Sequence, residues 1–149
     1  MKAINHNGTI KTFSKVKSWN NKLGLQYSSD SELEALGFYD VERPAKKLSQ
    51  EYGSIEWDAS NNRFTFPLNN KTYSESLADL KAEKIVELKS SYESRLGVTD
   101  WYVTRKSEKG IDIPADIQTE RDNLRDEQVS REAEINALTT KAAVVDYSI

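Results

Sequence analysis

Cysteine is absent from this chain, and with it any disulfide framework, thiolate metal site or cysteine nucleophile. Histidine is almost absent: His6 stands alone in a polar stretch, so neither a Ser-His-Asp nor a Cys-His arrangement can be built around it. It reads as a solvated side chain. No Gly-x-Gly-x-x-Gly, Walker-type loop, HExxH or calcium-loop pattern occurs, so no cofactor or metal is expected. Carboxylates are plentiful, but they alternate with Lys and Arg as solvated helix faces do, and nothing singles out a catalytic pair. The expectation is a protein without enzymatic activity. Long apolar runs are missing too, since none approaches the roughly 18 residues of a membrane span. The N-terminus carries no secretory apolar core, which points to a soluble protein made in a cytoplasm.

Apolar residues are also scarce. They make up 37% of the 149 residues, against about 45–50% in ordinary globular chains. Mean hydropathy is -0.72. One large core cannot be filled from that supply; an elongated protein, or one completed against a partner, fits better. The 21 basic and 24 acidic residues interleave to a net charge of -3, with no basic stripe, which argues against nucleic acid as a partner.

What is present divides at about residue 73. The first 73 residues predict a small α+β domain. Asn7-Gly8 is turn chemistry, and Thr9-Ile10-Lys11-Thr12-Phe13 after it alternates as a short strand. Ser29-Asp30-Ser31-Glu32 has the form of a capping box for a helix carrying Leu33 and Leu36 and stopped by Gly37. Phe38-Tyr39-Asp40-Val41 reads as extended, with Pro44 barring a longer central strand. A hairpin is predicted from two alternating runs around Ala59-Ser60-Asn61-Asn62, with Ile55, Trp57, Phe64 and Phe66 on one face as the nucleus of the core.

Residues 74–141 predict a helical arm. A Ser74 cap precedes a helix over about 75–96, bearing Leu77, Leu80, Ile85, Leu88, Tyr92 and Leu96, with Gly97 as its stop. A second helix over about 114–138 opens with Pro114 at its first position. Written as heptads, its seam rows are Ile117, Leu124, Arg131, Leu138 and Arg121, Gln128, Ile135, Ala142. Polar side chains interrupt this seam, so a dry two-stranded coiled coil is not expected. Two readings remain: a helix hairpin against 75–96, or an intermolecular bundle with a wet middle layer. The apolar tail, 142–149, is β-prone. It either folds back on its own domain or adds a strand to a partner's sheet edge through Val144, Tyr147 and Ile149.

One layout is familiar. Tyr92-Glu93-Ser94-Arg95-Leu96-Gly97-Val98-Thr99-Asp100-Trp101 is followed by Pro114 and then by Glu120-Arg121-Asp122-Asn123-Leu124-Arg125-Asp126. It resembles the phage tail assembly chaperone family, in which a charged helix runs into a Thr-Asp-Trp element, a spacer and an Arg-x-x-Leu-Arg-Asp helix. Thr99, Asp100, Trp101, Arg121, Leu124, Arg125 and Asp126 carry the match, within about 92–127. Trp19-Asn20 and the Glu32-to-Tyr39 element resemble segments found ahead of that module. The resemblance implies a bacteriophage tail protein that binds tail-fibre or baseplate protein, assists fibre assembly or attachment, and is assembled in the host cytoplasm and carried on the virion. The long polar helix and apolar tail beyond the motif suit a protein that stays in the particle. A stand-alone virion structural protein, and a host-surface glycan-binding module built on exposed aromatics, are the rival readings. Trp19, Trp101, Leu124, Ile135, Val144, Tyr147 and Ile149 are the expected partner contacts, with self-association through the helices as a further option. Asp100 is expected in a turn and Trp101 in the corner between two helices, with Arg121 and Arg125 paired to Asp122, Asp126 or Asp100.

Overall fold

Asn7 and Gly8 both adopt positive φ, 52° and 79°, the geometry that lets a two-residue turn follow the twist of a hairpin. The turn joins β1 (Lys2–His6) to β2 (Thr9–Phe13), so the strand expected after Gly8 has an antiparallel partner ahead of it. Asn20 and Asn21, at 46° and 65°, repeat the device between β3 (Ser18–Trp19) and β4 (Lys22–Leu23). The computed structural model describes residues 1–149, and the chain is α+β, with strands in its N-terminal part and long helices after them. It divides into two compact units, Met1–Asn70 and Lys71–Ile149. The tail at 142–149, expected as a separate segment, therefore belongs to the second unit.

In the first unit, α1 (Asp30–Glu34) begins at the expected capping box. The Glu32 amide donates to the Ser29 hydroxyl, and the Ser29 amide donates to the Glu32 carboxylate at 2.7 Å. Gly37, at φ 89°, turns the chain out of the helix. Then β5 (Tyr39–Glu42), β6 (Gln50–Tyr52), β7 (Glu56–Asp58), β8 (Arg63–Thr65) and β9 (Leu68–Asn70) follow. Five strands form one sheet in the order β2-β1-β5-β8-β7, antiparallel except for the β5–β8 pair; β6 and β9 pair separately.

The core of this unit is not the predicted one. Ile4, Val16, Leu25, Leu33 and Phe38 are buried together, with Phe13, Trp19 and Leu36 packed on them. Phe13, Trp19 and Phe38 meet edge to face, with centroids 5.4–5.9 Å apart. Of the expected nucleus, Phe64 is buried, Ile55 and Phe66 are partly covered, and Trp57 is 40% exposed. The β7–β8 hairpin does form, with Trp57 opposite Phe64. Strand β7 is the sheet edge, however, and no residue of the hairpin belongs to the buried cluster. Alternation specifies which side chains share a face; it does not specify which face another layer covers. Lys2 is held at the same core's margin, its Nζ 2.7 Å from Asp30 and 3.1 Å from Asp40. Burial works against its charge, but the two carboxylates outweigh burial and leave its pKa raised.

The second unit is helical. Its first helix, α2 (Leu77–Gly97), is capped by Ser76 and not by Ser74, because Ser76 has an acid three residues on: Asp79 accepts from the Ser76 hydroxyl at 2.7 Å. Next comes α3 (Asp100–Lys109), which was not expected, ended by Gly110 in the left-handed conformation at φ 68°. Pro114 is the cap of α4 (Ala115–Ala137) and not its first residue. A short helix, α5 (Lys141–Asp146), follows.

Six of the eight heptad positions form the buried side of α4; Leu138 is its C-terminal cap and Ala142 lies in α5. Arg121, Leu124 and Ile135 are buried and the other five positions partly buried. They face α2 of the same chain: Leu88, Tyr92, Leu124 and Ile135 form the core, with Ile85, Leu96, Tyr147 and Ile149 packed on it. Arg95–Glu127, Lys89–Glu132 and a bond from Lys81 to the Asn136 carbonyl fix the antiparallel register. The helix hairpin is thus intramolecular. The β-prone tail is corrected as well. Thr140 caps α5, Val144 is buried, and Tyr147 donates to Glu134 at 2.6 Å. Burial of one apolar helix face outweighs the modest β-preference of two valines. No helix is long and apolar enough to cross a membrane.

Phe38→Ala should cost about 3–5 kcal/mol, as deletion of a buried ring does. Trp57→Ala should cost about 1–2 kcal/mol, because nearly half the ring is already in water. Urea unfolding of the two variants checks the order; equal losses would put Trp57 in the core.

The Asp79 carboxyl titrates below its ordinary value of 3.8, first because the Ser76 hydroxyl donates to it and second through the Ser76 amide. A lowered folded pKa means that the cap's contribution is complete above the unfolded value and fades as the pH falls through the folded one. Followed through its carboxyl carbon NMR shift, Asp79 should titrate below 3.8 in the parent. In Ser76→Ala the midpoint should move up toward that value. An unmoved midpoint would show that the box does not form.

Candidate functional site

Gly97 is not the stop of α2 that was expected. It remains helical, and the break comes at Val98 and Thr99, where Thr99 takes φ -111° and ψ 6°. The last turn of a helix leaves carbonyls without amide partners and concentrates partial negative charge. Here the Leu96 carbonyl accepts from the Thr99 amide at 3.0 Å, the Thr99 hydroxyl at 3.0 Å and Arg121 Nη1 at 2.9 Å. Arg121 Nη1 also donates to the Thr99 hydroxyl oxygen at 2.6 Å, while its Nη2 donates to Asp100 Oδ1 at 2.8 Å.

One guanidinium on α4 thereby closes the end of α2 and holds the first residue of α3. The Arg121 side chain is 6% exposed and that of Asp100 60%. Because Asp100 is well solvated, the Coulombic part of the pair is strongly screened. The hydrogen bonds to Leu96 and Thr99, in the shielded part of the joint, matter more. Of the pairings open to Arg121 in the sequence, the structure selects Asp100; Arg125 pairs with Asp122 at 3.4 Å.

Trp101 does not fill this corner, because Arg121 and Thr99 occupy it. The indole lies outside and is 52% exposed. It stacks on Tyr102, with centroids 3.7 Å apart and planes inclined at 31°. The Arg105 guanidinium lies 4.9 Å from the Trp101 ring and 5.1 Å from the Tyr102 ring, within range for cation–π attraction. Its Nε is buried with no hydrogen-bond partner. Val98 at 75%, Val103 at 42% and Ile111 at 46% exposure extend the apolar surface around α3.

The other expected contact residues lie elsewhere. Trp19 packs into the first unit's core, and His6, expected to be solvated, meets it edge-on at 5.1 Å. Leu124, Ile135 and Val144 are buried within the second unit, and Tyr147 and Ile149 pack on its core. These six are committed to the fold, which leaves Trp101 as the expected contact with a free face. Tyr102 stood beside Trp101 among the aromatics that could be exposed; Val98 and Arg105 were missed. The steps from 98 to 101, 102 and 105 are those of one helix side, a signal hidden because the segment did not read as a helix. No group of three or more acidic or histidine side chains is placed to hold a metal ion. An open groove of about 640 Å³ lies between Arg95 and the Asp116, Glu120 and Glu127 side of α4; Ala115 and Leu124 also line it, and the Arg95–Glu127 pair partly bridges it. The chain matches no known family model, no curated protein and no solved structure.

Removing the clamp should loosen the joint. Arg121→Met should cost about 1.5–3 kcal/mol, in the range for hydrogen bonds to a charged group. Arg121→Lys should recover little, because an ammonium cannot span the three acceptors as the planar fork does. Chemical unfolding and amide exchange across 98–109 check this. Parental exchange in Arg121→Met would mean that α3 is held by something else.

Proposed function

We propose that the protein is a bacteriophage tail protein without enzymatic activity, which binds a tail-fibre or baseplate protein through the outer face of α3. On this reading it assists fibre assembly or attachment, acts first in the host cytoplasm and remains on the virion. The observation that carries the proposal is a coincidence of motif and geometry. The residues that resemble the tail assembly chaperone family, Thr99, Asp100 and Arg121, are joined by hydrogen bonds, and their joint leaves Trp101 facing out.

A half-exposed Trp stacked on Tyr and Arg has the composition of a protein-binding hot spot. These are rigid, amphipathic side chains that lose little rotamer freedom on contact. Val98, Val103 and Ile111 around them supply apolar area that this unit leaves in water. The clamp adds preorganisation, since α3 does not have to be ordered at the moment of binding.

A photo-crosslinking residue at Val103, in protein produced during infection, should capture a tail-fibre or baseplate protein. Trp101→Ala should lower that capture by about tenfold, as loss of an aromatic anchor does, with the helical circular dichroism unchanged. Capture of no tail component, or full capture with Trp101→Ala, would remove this face from the function.

A further inference from the structure

The chain between β5 and β6 carries three exposed cations in five residues, Arg43, Lys46 and Lys47. None of them forms an ion pair. Unlike a free surface lysine, each belongs to a segment that is held in place. The Arg43 guanidinium lies 5.3 Å from the Tyr52 ring and 4.8 Å from the Phe66 ring, and the two rings meet at 5.9 Å and 64°. Lys46 Nζ lies 5.7 Å from the same Tyr52 ring and donates to the Gln50 carbonyl at 3.4 Å. The Tyr52 hydroxyl donates to the Pro44 carbonyl at 2.7 Å, which ties the ring to the segment it supports. Further along, the Lys47 amide donates to Gln50 Oε1 at 3.0 Å and the Gln50 amide to the Lys47 carbonyl at 3.1 Å.

Attraction to an aromatic ring positions a cation without neutralising it. Charge that is fixed and unneutralised selects an anion, and the surroundings narrow the kind. Arg43 and Lys46 stand over the rings where a nucleobase would have to stack, which removes the platform that single-stranded nucleic acid uses. Glu42 and Glu51 flank the cations in sequence, so the positive run is too short to track a polyanion. Leu48, next to Lys47, is 66% exposed and adds an apolar contact that a bare anion would not use.

We propose that residues 43–48 are a docking site for a short acidic segment of a partner protein, whose carboxylates meet Arg43 and Lys46 while an apolar side chain covers Leu48. Arginine suits the role because its planar fork can hold a carboxylate through two parallel hydrogen bonds. The bonds from Tyr52 and Gln50 order the segment beforehand, so little entropy is lost on contact. The site is independent of the α3 face and does not rest on the function proposed for it.

A capped peptide, Asp-Glu-Leu-Asp-Glu-Leu, titrated into the intact chain and followed by the Arg43 Nε–H and Lys47 amide NMR resonances, tests the assignment. Saturable movement of both is expected, weakening as salt is raised and absent with the Asn/Gln counterpart of the peptide. Arg43→Gln should weaken binding by about tenfold, the scale of a hydrogen bond to a charged group, and Lys46→Gln severalfold. Should Arg43→Gln disturb the fold, Lys46→Gln and the resonance mapping still decide. Resonances unmoved by the peptide, or moved equally by its uncharged counterpart, overturn the proposal. So does tighter binding of oligothymidylate, which would make the segment a nucleic-acid contact, or equal binding of inorganic phosphate, which would make it a site for any small anion.

Discussion

A single buried guanidinium organises the second unit. Arg121 reaches from the second turn of one helix to the C-terminal end of another, and the helix that follows begins on its second nitrogen. Long antiparallel helices alone fix two axes; they leave the chain between them free to wander. With Arg121 in place, residues 98–109 acquire a defined start and a defined direction. Burying a cation is unfavourable unless its donors are used, and here the neighbouring acceptors are a helix-terminal carbonyl, a threonine oxygen and a carboxylate. The position therefore tolerates neither a shorter side chain nor an apolar one without exposing unmatched groups.

The two units solve the shortage of apolar residues differently. The first concentrates three rings and a few aliphatics under one part of its sheet and leaves the rest of the sheet thinly covered. The second accepts polar side chains in its seam and adds links along the seam's flanks, from Lys81, Lys89 and Arg95 to α4. A seam with charges in fixed places also resists slippage, since a shift of one turn, about 5.4 Å, would strand Arg121 away from its acceptors.

What could be read in advance follows from how local each signal is. The capping box at Ser29, the heptad rows of α4 and the β7–β8 hairpin depend on residues close in sequence, and they were legible. Helix α3 was not. Asp-Trp-Tyr-Val-Thr has poor helix propensity, and its order derives from Arg121, some twenty residues on, and from Gly110 at its other end. Strand β1 was missed because Ile4 is almost alone in marking it; its partners on both sides supply the pairing. The Trp57 error has another origin, since the face was right and the layer meant to cover it was not there. In the candidate site, Trp101 was legible as an unusual exposed aromatic. Tyr102 beside it was legible in the same way; Val98 and Arg105 became visible only once the segment was known to be helical.

The parallel pairing of β5 with β8 sets a kinetic order on the first unit. Hairpins such as β1–β2 and β7–β8 close over short turns, whereas joining β5 to β8 requires the intervening residues 43–62 to be looped back first. Loop-closure entropy places that contact after the hairpins, together with the β1–β5 pairing, which closes over residues 7–38. An open hollow beside Trp57 has one wall on each side of this pairing: Ile4, Asn5 and Tyr39 on one, Trp57 and Phe64 on the other. It comes into existence only when the non-local pairings are made, after the hairpins on either side of it have closed.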